Sequence, residues 1–189
     1  MKLLSDAIFG NGQSIPGAED IAVQCDSNGF PYYKGGTFKG LFRDEFENYL
    51  SLCGKSDGEA DYLTRTLFGE TGSDAPDEKK LIFTDFTLSE AVKAAILDEI
   101  GNADPMRITE ALTHLRTFTK IDDDGMVASG SLRTARCVDS GLCFYAEIAC
   151  SKEDEPMLSE ALGFVKSIGT MRNRGFGQVK LSVLKEGRS

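Results

Sequence analysis

The residues best suited to chemistry in this sequence are cations set among glycines. "GTMRNRGFGQVKL", residues 169–181, puts Gly169, Arg172, Arg174, Gly175 and Gly177 within nine residues and then turns into an alternating, strand-like pattern. Glycine tolerates dihedrals closed to other residues and keeps no Cβ between the main chain and an anion. Arginine supplies charge-assisted hydrogen bonds to phosphate without reading sequence. A P-loop or a dinucleotide fingerprint requires strand, then glycines, then helix. Here the order is helix, glycines, strand, and neither G-K-[ST] nor G-x-G-x-x-G occurs. An RNA-recognition-motif signature is matched at Arg174, Gly175, Phe176, Gly177 and Val179. Gln178 and Leu181 stand where base-stacking aromatics are expected, and the segment lies on the last strand instead of the third.

A second basic stretch, "PYYKGGTFKGLFR" at 31–43, carries Lys34, Lys39 and Arg43 and no acid. Thr37 is placed to cap a helix whose apolar stripe is Phe38, Leu41, Phe42, Phe46, Tyr49 and Leu50. Lys39 and Arg43, four residues apart, fall on one side of that helix, and its first amides are available to a phosphate. A solvated helix face is the alternative reading of this pair. Residues 113–136 hold Arg116, Lys120, Arg133 and Arg136 against Asp122, Asp123 and Asp124. These two stretches carry +3 and +1, residues 169–189 carry +4, and the rest of a chain of net charge −9 therefore carries −17. The total argues against nucleic acid. The segregation is what a fold with one basic face and an acidic back requires, with solubility and chance clustering as the bland alternative.

Other chemistry is sparse. Asp20 follows Glu19 in a polar loop, where a carboxylate is ordinarily solvated, and Asp26 reads as a turn residue beside Gly29. His114 is the only histidine, which excludes a two-histidine acid/base mechanism and reads as a surface or helix-end residue. Five cysteines without a C-x-x-C pair fit neither a zinc site nor a disulfide framework, and most read as small core residues of a reducing compartment. The chain reaches Asp6 before any signal-peptide core, and no stretch approaches the roughly 18 apolar residues of a membrane span. A cytoplasmic location and no membrane partner are expected.

The elements that must hold these residues form a simple order. The 189 residues, 41% hydrophobic, suit one domain over 1–189 with inserted segments at about 87–140. Residues 2–8 read as a first strand, followed by a long loop and the helix beginning near Thr37. A second helix holds Tyr62, Leu63 and Leu67 and ends at Gly69. "KKLIFTDFTL" reads as a strand, and 87–113 as helical in parts, broken by "GNADP". Asp124-Gly125 gives a hairpin signal between two strand-like runs. "LCFYAEIAC" at 142–150 is strand, "EDEPMLSEALGFVKSI" an amphipathic helix, and "GQVKLSVLK" a final strand. Stripped of insertions this is strand, helix, strand, strand, helix, strand. That order predicts an α+β, ferredoxin-like (RRM-like) antiparallel sheet with helices on one face.

The landmarks "LLSDAIFGNG", "YYKGGTFKGLFRDEF", "LFGETG" before "LIFTDF", "TFTKIDDDGMVASGSLRTARCVDSGLCFYAEI" and the terminal "SIGTMRNRGFGQVKL" occur in one order. In this the chain resembles the RAMP superfamily of CRISPR-associated proteins over nearly its whole length, especially the repeated backbone subunits of type III (Csm and Cmr) effector complexes. The resemblance implies guide RNA, target RNA and other effector subunits, copies of itself included, as partners. It implies an inserted β-hairpin thumb at 113–140, with Arg116, Lys120, Arg133 and Arg136 near the RNA, so that base pairing reads sequence and the protein reads shape and charge. It also implies that Asp20 is catalytic, holding Mg²⁺ or another divalent metal for endonucleolytic cleavage of paired target RNA. A non-catalytic scaffold of the same family, or a ferredoxin-like regulatory or ligand-binding module whose glycines only make a tight turn, are the alternatives.

Overall fold

The structure, a computed structural model, describes residues 1–15, 18–69, 81–100, 104–119 and 132–184. Its elements are β1 (Lys2–Leu3), α1 (Gly35–Leu52), α2 (Asp57–Phe68), β2 (Ile82–Phe83), α3 (Glu90–Ile100), α4 (Pro105–Leu112), β3 (Thr113–Phe118), β4 (Arg133–Val138), β5 (Ile148–Ala149), α5 (Glu155–Leu162) and β6 (Val179–Lys180). A single 3₁₀ turn covers Arg172–Arg174. The chain is thus a mixture of helices and small antiparallel ladders. β1 pairs β6, β2 pairs β5 and β3 pairs β4. Isolated antiparallel bridges extend these pairings, with Lys2 opposite Cys143, Ala7 opposite Val138 and Thr87 opposite Tyr145. No helix among the described residues is long and apolar enough to cross a membrane.

The apolar stripe of α1 does what its spacing predicts. Phe38, Phe42 and Phe46 are fully buried one turn apart. Phe42 and Phe46 both meet Phe68 of α2, and Phe38 lies 4.6 Å, ring to ring, from Phe86 beyond β2. On the far side of this core sit Leu158, Ala161, Val165 and Ile168, from α5 and the segment that follows it. α2 opens on a capping box, in which Ser56 and Glu59 satisfy each other's backbone amides, and ends at Gly69 with φ 82°. α3 and α4 are separate helices, as the break in "GNADP" predicts. Asp104 caps α4 through the Met106 amide, with Pro105 in its first turn.

Helix α1 begins earlier than its sequence suggests. Its N-cap is Lys34, and Thr37 lies inside the first turn. The cap comes from elsewhere in the chain, because the Gly35 amide donates to Asp85 Oδ1 at 2.8 Å. Gly35 has to be glycine there, since a Cβ would stand 2.4 Å from the Thr84 carbonyl oxygen. A partner 50 residues away therefore overrides the local capping preference.

β3 and β4 form the longest ladder, in register from Thr113 opposite Val138 to Phe118 opposite Arg133. The Asp124-Gly125 turn expected between them, and Lys120, lie outside the described residues. Alternation along the ladder sends its two faces to different places. Ala135 and Cys137 close with Ile8 on a small second core, which Phe118, Met171 and Phe176 flank. Thr113, Thr134 and Arg136 face the other way.

Candidate nucleic-acid interface

The glycine-rich segment is a turn pinned to the chain after β1. The Gly177 amide donates to the Asp6 carbonyl at 2.7 Å, Thr170 to the Ile8 carbonyl at 3.2 Å, and the Ser5 hydroxyl to the Gly175 carbonyl at 2.8 Å. Gly169, Gly175 and Gly177 all have φ between 68° and 83°. Two of the three are needed for the protein's own packing. A Cβ on Gly177 would lie 1.9 Å from the Ile168 carbonyl oxygen, and one on Gly169 2.5 Å from that of Ile8. Only Gly175 faces open space. Met171 also adopts the left-handed conformation, and it turns the chain into the exposed Arg172 and Arg174. These two arginines, with Thr170 and Asn173, line an open depression on the surface.

Two further sequence candidates come to this turn. Phe118, the last residue of β3, meets Phe176 edge to face at 5.4 Å, and the Arg116 guanidinium lies over the same Phe176 ring at 5.7 Å. Arg116 shares its face of the ladder with His114 and with the exposed Arg133, which pairs with Phe118. Arg116 is not a bare cation, because its guanidinium donates to Asp6 Oδ2 at 3.0 Å and to His114 Nε2 at 3.3 Å. His114 Nδ1 in turn stands 2.5 Å from Asp139 Oδ1, and the Ser140 amide donates to Asp6 Oδ1. Asp6, His114 and Asp139 are the one group among the described residues with the makings of a metal site. The Arg116 guanidinium already supplies its positive charge, so the group is an ion-pair network that ties β1 to the ladder.

The start of α1 comes to the turn from the other side. The Gly169 amide donates to the Tyr33 hydroxyl at 3.4 Å. Burial pushes the Tyr33 phenol up, although the Gly169 amide and the nearby charge of Arg172 oppose the shift, so the ring stays neutral. Lys34 and Thr37, both exposed, line a small cleft with Phe9, Gly10, Gln24, Tyr32 and Tyr33. Lys39 and Arg43 are directed elsewhere. Lys39 lies roughly 200° round the helix from Thr37 and donates through Nζ to the Leu81 carbonyl at 2.9 Å. Arg43 donates to the Gly69 carbonyl at 3.1 Å and pairs with Glu47. The four cations expected to act together thus divide, Arg172 and Arg174 open at the turn, Lys39 and Arg43 holding main-chain carbonyls of the 69–81 connection.

Arg136 is placed differently from its neighbours on β4. It is buried, with its Nε at 3.0 and 3.2 Å from the two carboxylate oxygens of buried Glu19 and its Nη1 at 3.4 Å from Thr113 Oγ1. Asp20, the next residue, is exposed. Its Oδ2 accepts the Thr134 amide at 2.7 Å and the Thr134 hydroxyl at 3.3 Å, and its own amide donates to the Thr134 carbonyl at 2.9 Å. The second carboxylate oxygen has no protein partner among the described residues, and Asp20 is not part of the Asp6, His114, Asp139 group.

Sequence reasoning missed Asp6, Glu19, Tyr33, Asp85 and Asp139 as organisers of this surface. One signal was available in part. Arg133 and Arg136 are an odd number apart on a strand and must face opposite ways. So were His114 and Arg116, two apart and on one face.

Comparison with known proteins follows the same outline. A family model described as the RAMP superfamily matches residues 1–180. No curated protein matches the sequence. Among solved structures, a chain of the Type III-B Cmr-beta complex bound to cognate target RNA superposes with a TM-score of 0.64 at 14% identity, covering 93% of this chain and 92% of that one. A chain of the apo state of Cmr-beta gives a TM-score of 0.67 at 15% identity, covering 98% and 95%. At these identities the likeness is one of fold.

Proposed function

Because the chain belongs to the RAMP superfamily, we propose that it is a guide-RNA-binding backbone subunit of a type III CRISPR effector complex that contributes Asp20 to metal-dependent cleavage of paired target RNA. Its partners on this reading are guide RNA, target RNA and other effector subunits, copies of itself among them. The single observation that carries the RNA contact is the exposed pair Arg172 and Arg174, raised on a turn braced by the chain after β1, by Phe176 against Phe118 of β3 and by Tyr33 just before α1. Arg133, Lys34 and Thr37 extend the same surface, and Arg116 joins it once it exchanges Asp6 for a phosphate. Such contacts hold a sugar-phosphate chain without reading its bases, which suits a protein that leaves sequence to pairing.

The antiparallel pairings of 179–180 with 2–3, 2 with 143, 87 with 145 and 82–83 with 148–149 support reading the small ladders as parts of one ferredoxin-like sheet. We read β3 and β4 as the stem of the inserted thumb.

The residues present fit a hard divalent cation such as Mg²⁺ in a limited way. Asp20 offers one open carboxylate oxygen, and Mg²⁺ is commonly held by one or two carboxylates together with waters and substrate phosphate. When bound, such an ion supplies Lewis-acid polarisation of a phosphoryl oxygen. The chain's own part is to hold Asp20 aimed, which the Thr134 amide and hydroxyl do. Asp20→Ala is expected to abolish metal-dependent cutting of target RNA while the complex still assembles on its guide; cutting at the parent rate would remove Asp20 from the mechanism. The scaffold reading draws its support from Asp20 standing outside the one group of three possible metal ligands among the described residues. RNA that copurifies with the protein and leaves it at high salt separates both readings from a ligand-binding module.

A further inference from the structure

The buried Glu19–Arg136 pair has no role in the reading above. It is also costly to keep, because two charges taken out of water are compensated only with good geometry and further hydrogen bonds. Here the geometry is good. Arg136 Nε reaches both Glu19 oxygens and Nη1 reaches Thr113, with Glu19 4% and Arg136 7% exposed. The consequence of the pair is local to one loop. Glu19 precedes Asp20 directly, and Arg136 lies two residues beyond Thr134, the residue that grips Asp20. Between these two anchors the main chains interlock. The Asp20 and Ile21 amides both donate to the Thr134 carbonyl, at 2.9 and 3.2 Å, and the Arg136 amide donates to the Ile21 carbonyl at 3.1 Å. The Thr134 hydroxyl closes the set on the Ala18 carbonyl at 3.2 Å. Residues 20–21 are thereby laid parallel along the edge of β4 opposite β3, with Ile21 bridged to Ala135. The exposed carboxylate of Asp20 sits on a loop, yet it has the fixed backing of a strand.

We infer that Glu19 and Arg136 are positioning residues for Asp20: their buried ion pair clamps the loop to β4 so that Thr134 holds one oxygen of Asp20 and the other stays presented to a divalent cation. This rests on the assignment of Asp20 proposed above. It also gives Arg136 a different task from the RNA contact expected of it, since a guanidinium buried against Glu19 has no surface to offer a phosphate.

The test uses the full chain assembled with its partner subunits and guide RNA. Glu19→Gln and Arg136→Lys keep the size of each side chain and weaken the pair. Phe46→Leu serves as a control for loss of stability alone, because it loosens the core between α1 and α2, where its ring partners Phe42, Tyr49 and Phe68 are not partners of Glu19, Arg136 or Thr134. Two quantities are read: the Mg²⁺ concentration for half-maximal target cleavage, and the hydrogen-exchange rate of the Thr134 amide, which requires no activity. The clamp predicts a rise of about 10-fold or more in the Mg²⁺ requirement, the range typical of removing support behind a metal ligand. It also predicts faster exchange at Thr134 and unchanged affinity for RNA, with neither change in Phe46→Leu. Where Glu19→Gln or Arg136→Lys fails to fold, Thr134→Val, which deletes only the hydroxyl contacts to Asp20 and Ala18, carries the same prediction. A parental Mg²⁺ requirement in these variants, or an equal shift in Phe46→Leu, overturns the clamp. Parental cutting by Asp20→Ala overturns the assignment of Asp20 instead, and exchange at Thr134 then still reports whether the pair holds the loop.

Discussion

Two pairs of cations in this chain look alike on a charge map and behave differently in the fold. Lys39 with Arg43, and Arg172 with Arg174, both stand in glycine-containing basic segments. The first pair spends its hydrogen-bonding capacity on the carbonyls of Leu81 and Gly69, and so fastens α1 to the connection between α2 and β2. The second pair is exposed on a turn whose backbone is held from behind. What separates them is where unsatisfied carbonyls lie. A buried carbonyl without a partner is costly enough to recruit a nearby cation. On the turn Ser5 holds the Gly175 carbonyl, and the Arg174 and Gly175 amides hold those of Met171 and Arg172, while Arg172 and Arg174 stand exposed to solvent or to a ligand.

The contrast can be broken most forcefully through the turn's glycines. Gly177→Ala is expected to destabilise the protein by about 3 kcal/mol, because the new methyl meets the Ile168 carbonyl at a positive φ. Gly175→Ala, with the same sign of φ but open space around it, should cost about 1 kcal/mol. Denaturant midpoints of the two variants check this, and equal losses would mean that the turn is not braced as described. The cation pairs themselves come next. Lys39→Ala and Arg43→Ala should each cost about 1 kcal/mol of stability and leave the salt dependence of RNA binding unchanged. Arg172→Ala and Arg174→Ala should leave stability within about 0.5 kcal/mol and each lower the slope of log affinity against log salt by about 1. An exchange of these phenotypes would invert the comparison. The smallest effect concerns Glu59, whose carboxyl is held below the usual glutamate range by the Ser56 amide first, then by the Ser56 hydroxyl and Lys55. A depressed folded pKa contributes stability above the ordinary glutamate value and loses it as pH falls through the folded one. The stability difference between the parent and Glu59→Gln should therefore be present at neutral pH and fade below about pH 4.

Much of the helical half was legible because its signals are local. The phenylalanine stripe of α1, the break between α3 and α4 and the Gly69 stop of α2 each follow from spacing or from a single residue's dihedral preference. The strands were less legible. "LCFYAEIAC" and "GQVKLSVLK" each form a continuous ladder over only two residues, β5 and β6, with isolated bridges at Cys143, Tyr145 and Gln178, since a strand extends only as far as its partner does. The start of α1 was misplaced because Asp85, not Thr37, caps it. At the candidate site the glycine-rich turn and its arginines were found from composition. The role of Arg136 was not, because its partner Glu19 lies 117 residues away.

The sequence by itself determined which residues could meet a phosphate and which could bury a core, since charge, glycine content and apolar period are properties of short stretches. Tertiary structure alone decided which cations remain available, which glycines serve the protein's own backbone and how Asp20 is held. The reason is physical: a side chain's chemistry is set by the groups that satisfy it, and here those groups come from parts of the chain brought close only by folding.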